Sequence, residues 1–187
     1  TGVQTCALPI YNLLKPAYPE GGVHLLYTDT DSFILHFRTD DIYDDIKKTS
    51  CHYDTSNYPA DHPAFSNTNK KVVGKFKDEL GGKLLTEFVG LRSKMYSYAG
   101  EECGKRAKGV KKSVLKKAIV HEDYRTCLFS SLVHTRDMPG LRSHAHRVYG
   151  ETVRKVALAP LDTKRYILQD GVNTLAFGHV DIGRLRV

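Results

Sequence analysis

The sequence predicts an α+β fold in which short antiparallel strands are mixed with a few helices. Short apolar runs separated by turn residues predict the strands, and the first two of these runs flank residues 27–32. Capping residues followed by apolar residues on one helical face predict helices over residues 38–48 and from His121 onward. Every apolar run is short, so we expect neither a membrane-spanning helix nor a membrane partner.

Composition and charge narrow the class of protein. Of the 187 residues, 41% are hydrophobic and 26% are charged, which is typical of a folded globular chain and not of a disordered one. The four cysteines form no C-x-x-C pair, which favours free thiols in a reducing intracellular compartment. Residues 1–87 carry 9 Lys and Arg against 12 Asp and Glu, a net charge of −3, whereas residues 88–187 carry 19 against 9, a net charge of +10. This asymmetry predicts a polyanionic partner for the second half of the chain.

The first ten residues, TGVQTCALPI, show no periodicity and look like translated sequencing adapter. We expect residues 1–10 to be a non-native tail, so that the biological sequence begins near Tyr11 and the chain is a fragment. A genuine frayed N-terminus is the alternative, and it predicts the same poor order.

The turn predicted within residues 27–32, YTDTDS, carries two carboxylates one residue apart, Asp29 and Asp31. Like charges this close repel, and each group would take up a proton unless a cation lay beside it. A divalent cation with oxygen ligands, such as Mg²⁺, would satisfy the pair. A solvated turn that uses Asp twice is the alternative, and a bare D-x-D pattern usually has that origin.

The remaining elements follow from the same signals. Gly81 and Gly82 separate two apolar clusters, which predicts a hairpin over residues 72–89, while residues 50–71 are polar and predict a surface loop. In the second half we expect Tyr124, Cys127 and Leu128 on one face of the helix that starts at His121. Further strands are predicted over residues 91–98, 142–149, 152–159 and 164–168.

The strand predicted over residues 91–98 has an unusual face. Alternation places Arg92, Lys94, Tyr96 and Tyr98 on the same side. Cations contact phosphate oxygens and phenol rings cover a sugar or a base, so this face suits a nucleic acid strand. Tyrosines packed in the core beside cations that extend to solvent are the alternative interpretation.

A basic segment follows over residues 104–117, with seven basic residues and no acidic one. This local charge is enough to bind a nucleic acid backbone without reading its sequence. Gly109 would let the backbone approach a phosphate just before a helix begins. A solvated basic helix is the alternative.

Three motifs carry a resemblance to a known family. Residues 27–32 resemble motif C of the family B DNA polymerases, Y-x-D-T-D-S, at all six positions. Lys94-Met95-Tyr96 resembles the K-x-Y motif of the protein-primed branch of that family, and residues 106–109 resemble a stretch at its palm-to-thumb junction. Residues 88–97 and 174–179 look like the polymerases of self-synthesising DNA transposons and their viral relatives, so the resemblance covers nearly everything from Tyr11 onward.

The resemblance implies a domain organisation and a site. Residues 11–100 would form the end of a palm, an antiparallel sheet with a catalytic hairpin and a packed helix. Residues 101–187 would form a thumb of mixed helices and short strands. Asp31 would bind Mg²⁺ in a two-metal site, with Asp29 as a weaker ligand or a group near the primer end, and Tyr27, Thr30 and Ser32 would shape the hairpin. The residues expected to hold the primer strand or DNA phosphates are Arg92, Lys94, Tyr96, Lys105, Arg106, Lys108, Gly109, Lys111 and Lys112.

The resemblance also implies a reaction, nucleotidyl transfer to a primer 3′-hydroxyl in DNA replication. Its partners would be primer-template DNA, deoxynucleoside triphosphates and, if priming uses a protein, a terminal protein, in a nucleus or at a viral replication site. The family also needs a motif A aspartate and a motif B lysine, which would lie before Tyr11, so we expect the chain alone to be inactive. A non-catalytic basic nucleic-acid-binding module and another two-metal enzyme, such as a nuclease, are the alternatives.

Overall fold

The computed structural model describes residues 11, 12 and 14–185, and it has an α+β fold with several small antiparallel sheets. The tail predicted over residues 1–10 lies outside the described residues. The chain divides into two compact units: unit 1 is Thr1–Thr86 with Gly100–Glu102, and unit 2 is Glu87–Ala99 with Cys103–Val187. In the part of the chain that is described, no helix is long and apolar enough to cross a membrane.

The first two strands of unit 1 form the predicted hairpin. Strand β1 (Val23–Asp29) pairs antiparallel with β2 (Ser32–Phe37) across a two-residue turn, which confirms the predicted strand-turn-strand. The predicted helix is confirmed as α1 (Ile42–Lys48). The Asp41 carboxylate caps α1 by accepting hydrogen bonds from the amides of Tyr43 and Asp44, which would otherwise lack partners at the helix start.

The segment after α1 is mostly a loop, as predicted for residues 50–71. A short 3-10 turn, Ser50–His52, leads into β3 (Tyr53–Asp54), which pairs parallel with β4 (Phe76–Lys77). Hydrogen bonds from Ser56 and from the Lys71 amide hold the pKa of the buried Asp54 carboxyl at about 2. This buried carboxylate therefore closes the loop by binding both of its arms.

The hairpin predicted over residues 72–89 is wrong. Val72 and Val73 lie in an exposed turn, with Val73 98% exposed. Gly81 and Gly82 form a loop instead of a two-residue hairpin turn, because the Asp78 carboxylate binds the amides of Leu80 and Gly82. Both glycines have a positive φ, the conformation that this compact loop requires.

A three-stranded sheet follows, in the order β5 (Leu85–Arg92), β6 (Met95–Gly100), β7 (Gly104–Ala107). The single strand predicted over residues 91–98 is wrong, because the chain turns at Ser93 and Lys94. Lys94 adopts a φ of +59°, which ends β5 and starts β6. Arg92 and Tyr96 consequently lie on different strands.

The core of unit 2 forms where this sheet meets two helices, α2 (Lys112–Ala118) and α3 (His121–Phe129). The helix predicted from His121 is confirmed, with Tyr124 and Cys127 fully buried, although Leu128 is partly exposed. The Tyr124 hydroxyl donates to the Arg106 carbonyl at 2.9 Å, which satisfies the one polar atom of a buried ring. Burial also raises the pKa of the Cys127 thiol, one of three free cysteines in the described residues.

The longest element is a hairpin of β8 (His134–His144) and β9 (Arg147–Leu158). The bounds predicted for strands over residues 142–149 and 152–159 are wrong, because the turn falls at Ala145 and His146, both with a positive φ. Pro139 lies inside β8, and a two-stranded ribbon has only edges, where proline is tolerated.

The last elements are β10 (Arg165–Ile167), β11 (Thr174–Ala176) and α4 (Val180–Leu185). Strands β10 and β11 pair antiparallel, and the strand predicted over residues 164–168 is confirmed. The side chain of Asp170 accepts the amides of Val172 and Asn173 in the connection between the two strands.

The long hairpin offers a matched pair of leucines for testing the core of unit 2. Leu158 is 0% exposed, whereas Leu141 is 79% exposed. We expect Leu158→Ala to lower the free energy of unfolding of unit 2 by about 2 to 5 kcal/mol, because a buried cavity remains. Leu141→Ala should change it by less than about 0.5 kcal/mol. Amide hydrogen exchange in α3 measures both effects, and equal protection in the two variants would contradict this assignment of the core.

Candidate functional site

The two carboxylates predicted to bind a metal lie at the tip of the β1–β2 hairpin. Asp29 ends β1 opposite Ser32, and Tyr27 lies opposite Ile34. The register shifts between Leu25 and Tyr27, so β1 contains one extra residue there, a β-bulge. Side chains alternate along a strand, and the extra residue shifts this alternation by one position. Tyr27 and Asp29 therefore lie on the face opposite to the one they would occupy without the bulge.

Hydrogen bonds within the turn define how it presents the carboxylates. The Asp31 amide and the Ser32 hydroxyl both donate to the Asp29 carbonyl, at 2.8 and 3.0 Å. The Thr30 hydroxyl donates to Oδ1 of Asp29 at 3.3 Å. Asp29 is half-buried and Asp31 is exposed, so the two carboxylates have different access to solvent and to ligands.

The chemistry of this pair suits a hard divalent cation. Carboxylate oxygens are the ligands that Mg²⁺ prefers, and Asp29 and Asp31 supply them from one short turn. Within the described ranges, no group of three or more His, Cys, Asp or Glu side chains comes together where it could hold a metal ion. The hairpin thus offers two carboxylate ligands, and octahedral coordination of Mg²⁺ needs further oxygen ligands.

The predicted K-x-Y residues lie at the β5–β6 turn and on β6. Lys94 occupies the turn, and its carbonyl accepts the Lys108 amide at 2.9 Å. Tyr96 and Tyr98 stack on one face of β6 with ring centroids 6.4 Å apart, and Phe88 packs against Tyr96 at 5.8 Å. The predicted pairing of the two tyrosines on one strand face is confirmed, but Lys94 projects from the turn and not from that strand.

The opposite face of β6 is buried and holds the tyrosines in place. Met95 and Ser97 are each 1% exposed there. Across the sheet, the Tyr98 ring covers Gly104, where an added Cβ would collide with the ring. A side chain at position 104 would therefore displace the end of the tyrosine row.

The structure separates the basic residues of the segment 104–117 into two groups. The Lys105 ammonium donates to the carbonyls of Ile119, at 2.5 Å, and Lys116, at 3.4 Å, just where α2 ends. The Lys111 ammonium donates to the Pro139 carbonyl. Both cations already satisfy backbone acceptors, a role that the sequence does not reveal.

The other basic residues of the segment are available to solvent. Arg106, Lys108 and Lys112 are exposed, and Arg92 is half-buried near the end of β5. Gly109 has a φ of +97° with no atom within 4 Å of an added Cβ, so the backbone is open at this position. The exposed subset is the part of the segment that can meet phosphate oxygens.

Sequence reasoning missed a polar network in unit 2. The Ser97 hydroxyl oxygen lies 2.8 Å from Nδ1 of His121, and His121 Nε2 lies 3.4 Å from the Glu87 carboxylate, which also pairs with Arg125 at 3.1 Å. A serine, a histidine and an acid linked in this order by contacts are typical of nucleophilic catalysis, but Ser97 is buried and cannot meet a substrate. The network ties β5 and β6 to α3, and its members are too far apart in sequence to form a motif.

Comparison with known proteins places no relative beside this chain, since it matches no protein-family model, no curated protein and no solved structure. The residues of the chain, their motifs and their geometry are therefore what bears on its function. The two features that bear on it are the carboxylate turn in unit 1 and the exposed cations with the tyrosine row in unit 2.

Thr30 provides a test of the carboxylate turn. Its φ of +59° is an uncommon conformation for a β-branched residue, which asparagine tolerates better. We expect Thr30→Asn to stabilise the hairpin by about 1 kcal/mol. Thr28→Asn, at an exposed strand position, should give no stabilisation. Hydrogen exchange of the β1 and β2 amides measures the difference, and weaker protection in Thr30→Asn would show that the turn does not have this backbone.

Proposed function

We propose that this chain is the C-terminal palm and thumb part of a family B DNA polymerase of the protein-primed type. The observation that carries the proposal is the position of the motif C residues, because YTDTDS spans a hairpin tip with both aspartates at the turn. The tyrosine row beside Lys94 and the exposed cations of residues 106–112 support a nucleic acid strand as the partner.

In this proposal Asp31, exposed at the turn, supplies oxygen ligands for Mg²⁺, and Asp29 supplies them more weakly or lies near the primer end. When bound, two Mg²⁺ ions lower the pKa of the primer hydroxyl and stabilise charge on the transferring phosphate. The Thr30 hydroxyl orients the Asp29 carboxylate through its hydrogen bond to Oδ1. Tyr27 and Ser32 support the hairpin, Ser32 by binding the Asp29 carbonyl.

The DNA contacts are divided among the cations and the aromatic row. Lys94 pairs with a primer phosphate, and the Tyr96 ring packs on a sugar or base, since stacking on an aromatic ring needs no particular base. Lys108 and Lys112 bind backbone phosphates as exposed point charges. Lys105 and Lys111 contribute mainly by holding α2 and β8 through backbone carbonyls.

Polymerase activity would need two further groups from a longer protein. A motif A aspartate completes the metal site and a motif B lysine binds the nucleotide triphosphate, and both belong to segments before Tyr11. Residues 11–100 then end the palm and residues 101–187 form the thumb. We expect the 187-residue chain to bind primer-template DNA and to extend no primer.

Asp31→Asn in the longer polymerase tests the catalytic part of the proposal. Removing a ligand charge should lower primer extension by about a thousandfold, equivalent to several kcal/mol of transition-state stabilisation. DNA binding should be unchanged or slightly stronger, because one repulsive charge is gone. Asp40→Asn, an exposed aspartate beyond the hairpin, is the matched control and should extend normally.

Three results would favour other functions. Normal extension by Asp31→Asn would refute the polymerase proposal. DNA binding in a longer protein that never extends primers would favour the non-catalytic basic module. Cleavage of DNA with Mg²⁺ and no nucleotides would favour the two-metal nuclease.

The exposed lysines give a separate test of phosphate binding. Removing one lysine that binds a phosphate should reduce the slope of log K against log salt concentration by about 0.9 for duplex DNA. We expect this reduction in Lys108→Gln and in Lys112→Gln, with the fold unchanged, and no reduction in Lys70→Gln, an exposed lysine of unit 1. A binding constant for the unaltered chain that is flat between about 50 and 200 mM salt would exclude phosphate contacts.

A further inference from the structure

Two histidines face each other across the hairpin that carries the carboxylate turn. His24 on β1 lies directly opposite His36 on β2. Their rings are nearly parallel, with centroids 5.9 Å apart and an interplanar angle of 17°, and both side chains are exposed. Directly opposed residues have Cβ atoms about 5 Å apart, so rotation of the two side chains can direct one ring nitrogen of each imidazole to a common ion.

The histidine pair is distinct from the carboxylate pair. The bulge places His24 on the same strand face as Asp29, but Asp29 lies five positions further along β1. At about 3.3 Å per residue, roughly 15 Å separates the two positions, too far for one ion to be shared. The histidines lie at the base of the hairpin, and the carboxylates lie at its tip.

We propose that His24 and His36 together bind one borderline divalent transition-metal ion, Zn²⁺ or Cu²⁺, through their neutral imidazole nitrogens. Imidazole is a preferred ligand of these ions, with bonds of about 2.0 to 2.1 Å, and water completes the coordination. Mg²⁺ prefers oxygen ligands and does not compete at this place. The site belongs to unit 1 alone and does not rest on the polymerase proposal.

The bound ion would link the two strands of the hairpin. Binding to the native pairing stabilises that pairing in proportion to the logarithm of ion concentration. A one-residue slip of register would move one histidine to the opposite face and remove the site. The same register places Asp29 at the end of β1, so the ion stabilises the arrangement of the carboxylate turn without contacting it.

Titration of the 187-residue chain with ZnCl₂, followed by the ring-proton resonances of its histidines, tests the site. We expect the His24 and His36 signals to shift together with a single affinity, because one ion binds both rings. His24→Gln or His36→Gln should weaken binding at the remaining imidazole by at least about tenfold, since even a partner that only orients a ligand costs about that much. MgCl₂ should leave both signals unchanged.

The controls separate this site from other metal-binding groups. His144→Gln removes an exposed histidine that lies opposite Arg147, and it should leave the joint shift unchanged. Because the signal of each histidine ring is followed separately, Zn²⁺ bound by the exposed thiols of Cys51 and Cys103 is not mistaken for binding at this site. Asp31→Asn should also keep the joint shift, so the fate of this site and of the polymerase proposal can be told apart.

Two results would overturn the proposal. One is a Zn²⁺ titration in which the His24 and His36 rings do not respond together. The other is a His36→Gln variant, with its β1–β2 amide spectrum intact, in which the His24 ring binds Zn²⁺ with unchanged affinity.

Discussion

The cross-strand register of the β1–β2 hairpin is the constraint on which the candidate site depends. Side chains alternate between faces, so a slip of one residue would move Tyr27 and Asp29 together to the opposite face. The register is anchored at the tip, where the Asp31 amide and the Ser32 hydroxyl share the Asp29 carbonyl as acceptor. This one backbone oxygen thus fixes the part of the chain from which both carboxylates extend. On the other side of the bulge, Leu25 lies opposite Leu35 and keeps the two strands in register.

In unit 2, buried contacts likewise determine the positions of the exposed tyrosines and lysines. Burial of Met95 and Ser97 on one side of β6 determines that Tyr96 and Tyr98 lie on the other. The Arg136 guanidinium binds the Ala118 carbonyl at the end of α2, at 3.0 Å, and the Asp123 carboxylate of α3, at 3.2 Å. These contacts hold the two helices against β8 and therefore determine where the lysines of α2 lie.

The elements that could be predicted from sequence are those whose signals are local. The Asp41 cap and the apolar face from His121 onward depend on near neighbours, and so does the carboxylate turn. The errors over residues 91–98 and 142–159 occurred where the turn residues were unusual, since Lys94, Ala145 and His146 adopt the positive φ that sequence rules assign to glycine or asparagine. The division of the lysines into exposed ones and ones that bind backbone carbonyls could not be predicted from sequence either, because the acceptor of Lys111 lies 28 positions away.

The distribution of charge along the chain bears on function, and it concerns chemistry more than affinity. A module that only binds nucleic acid gains nothing from two adjacent carboxylates at an exposed turn, because these repel phosphates. A divalent cation reverses that repulsion, since it attracts both the carboxylates and a phosphate oxygen. Asp29 and Asp31 in an acidic first half, together with the exposed cations of a basic second half, therefore support the proposal of metal-dependent chemistry on a polyanion.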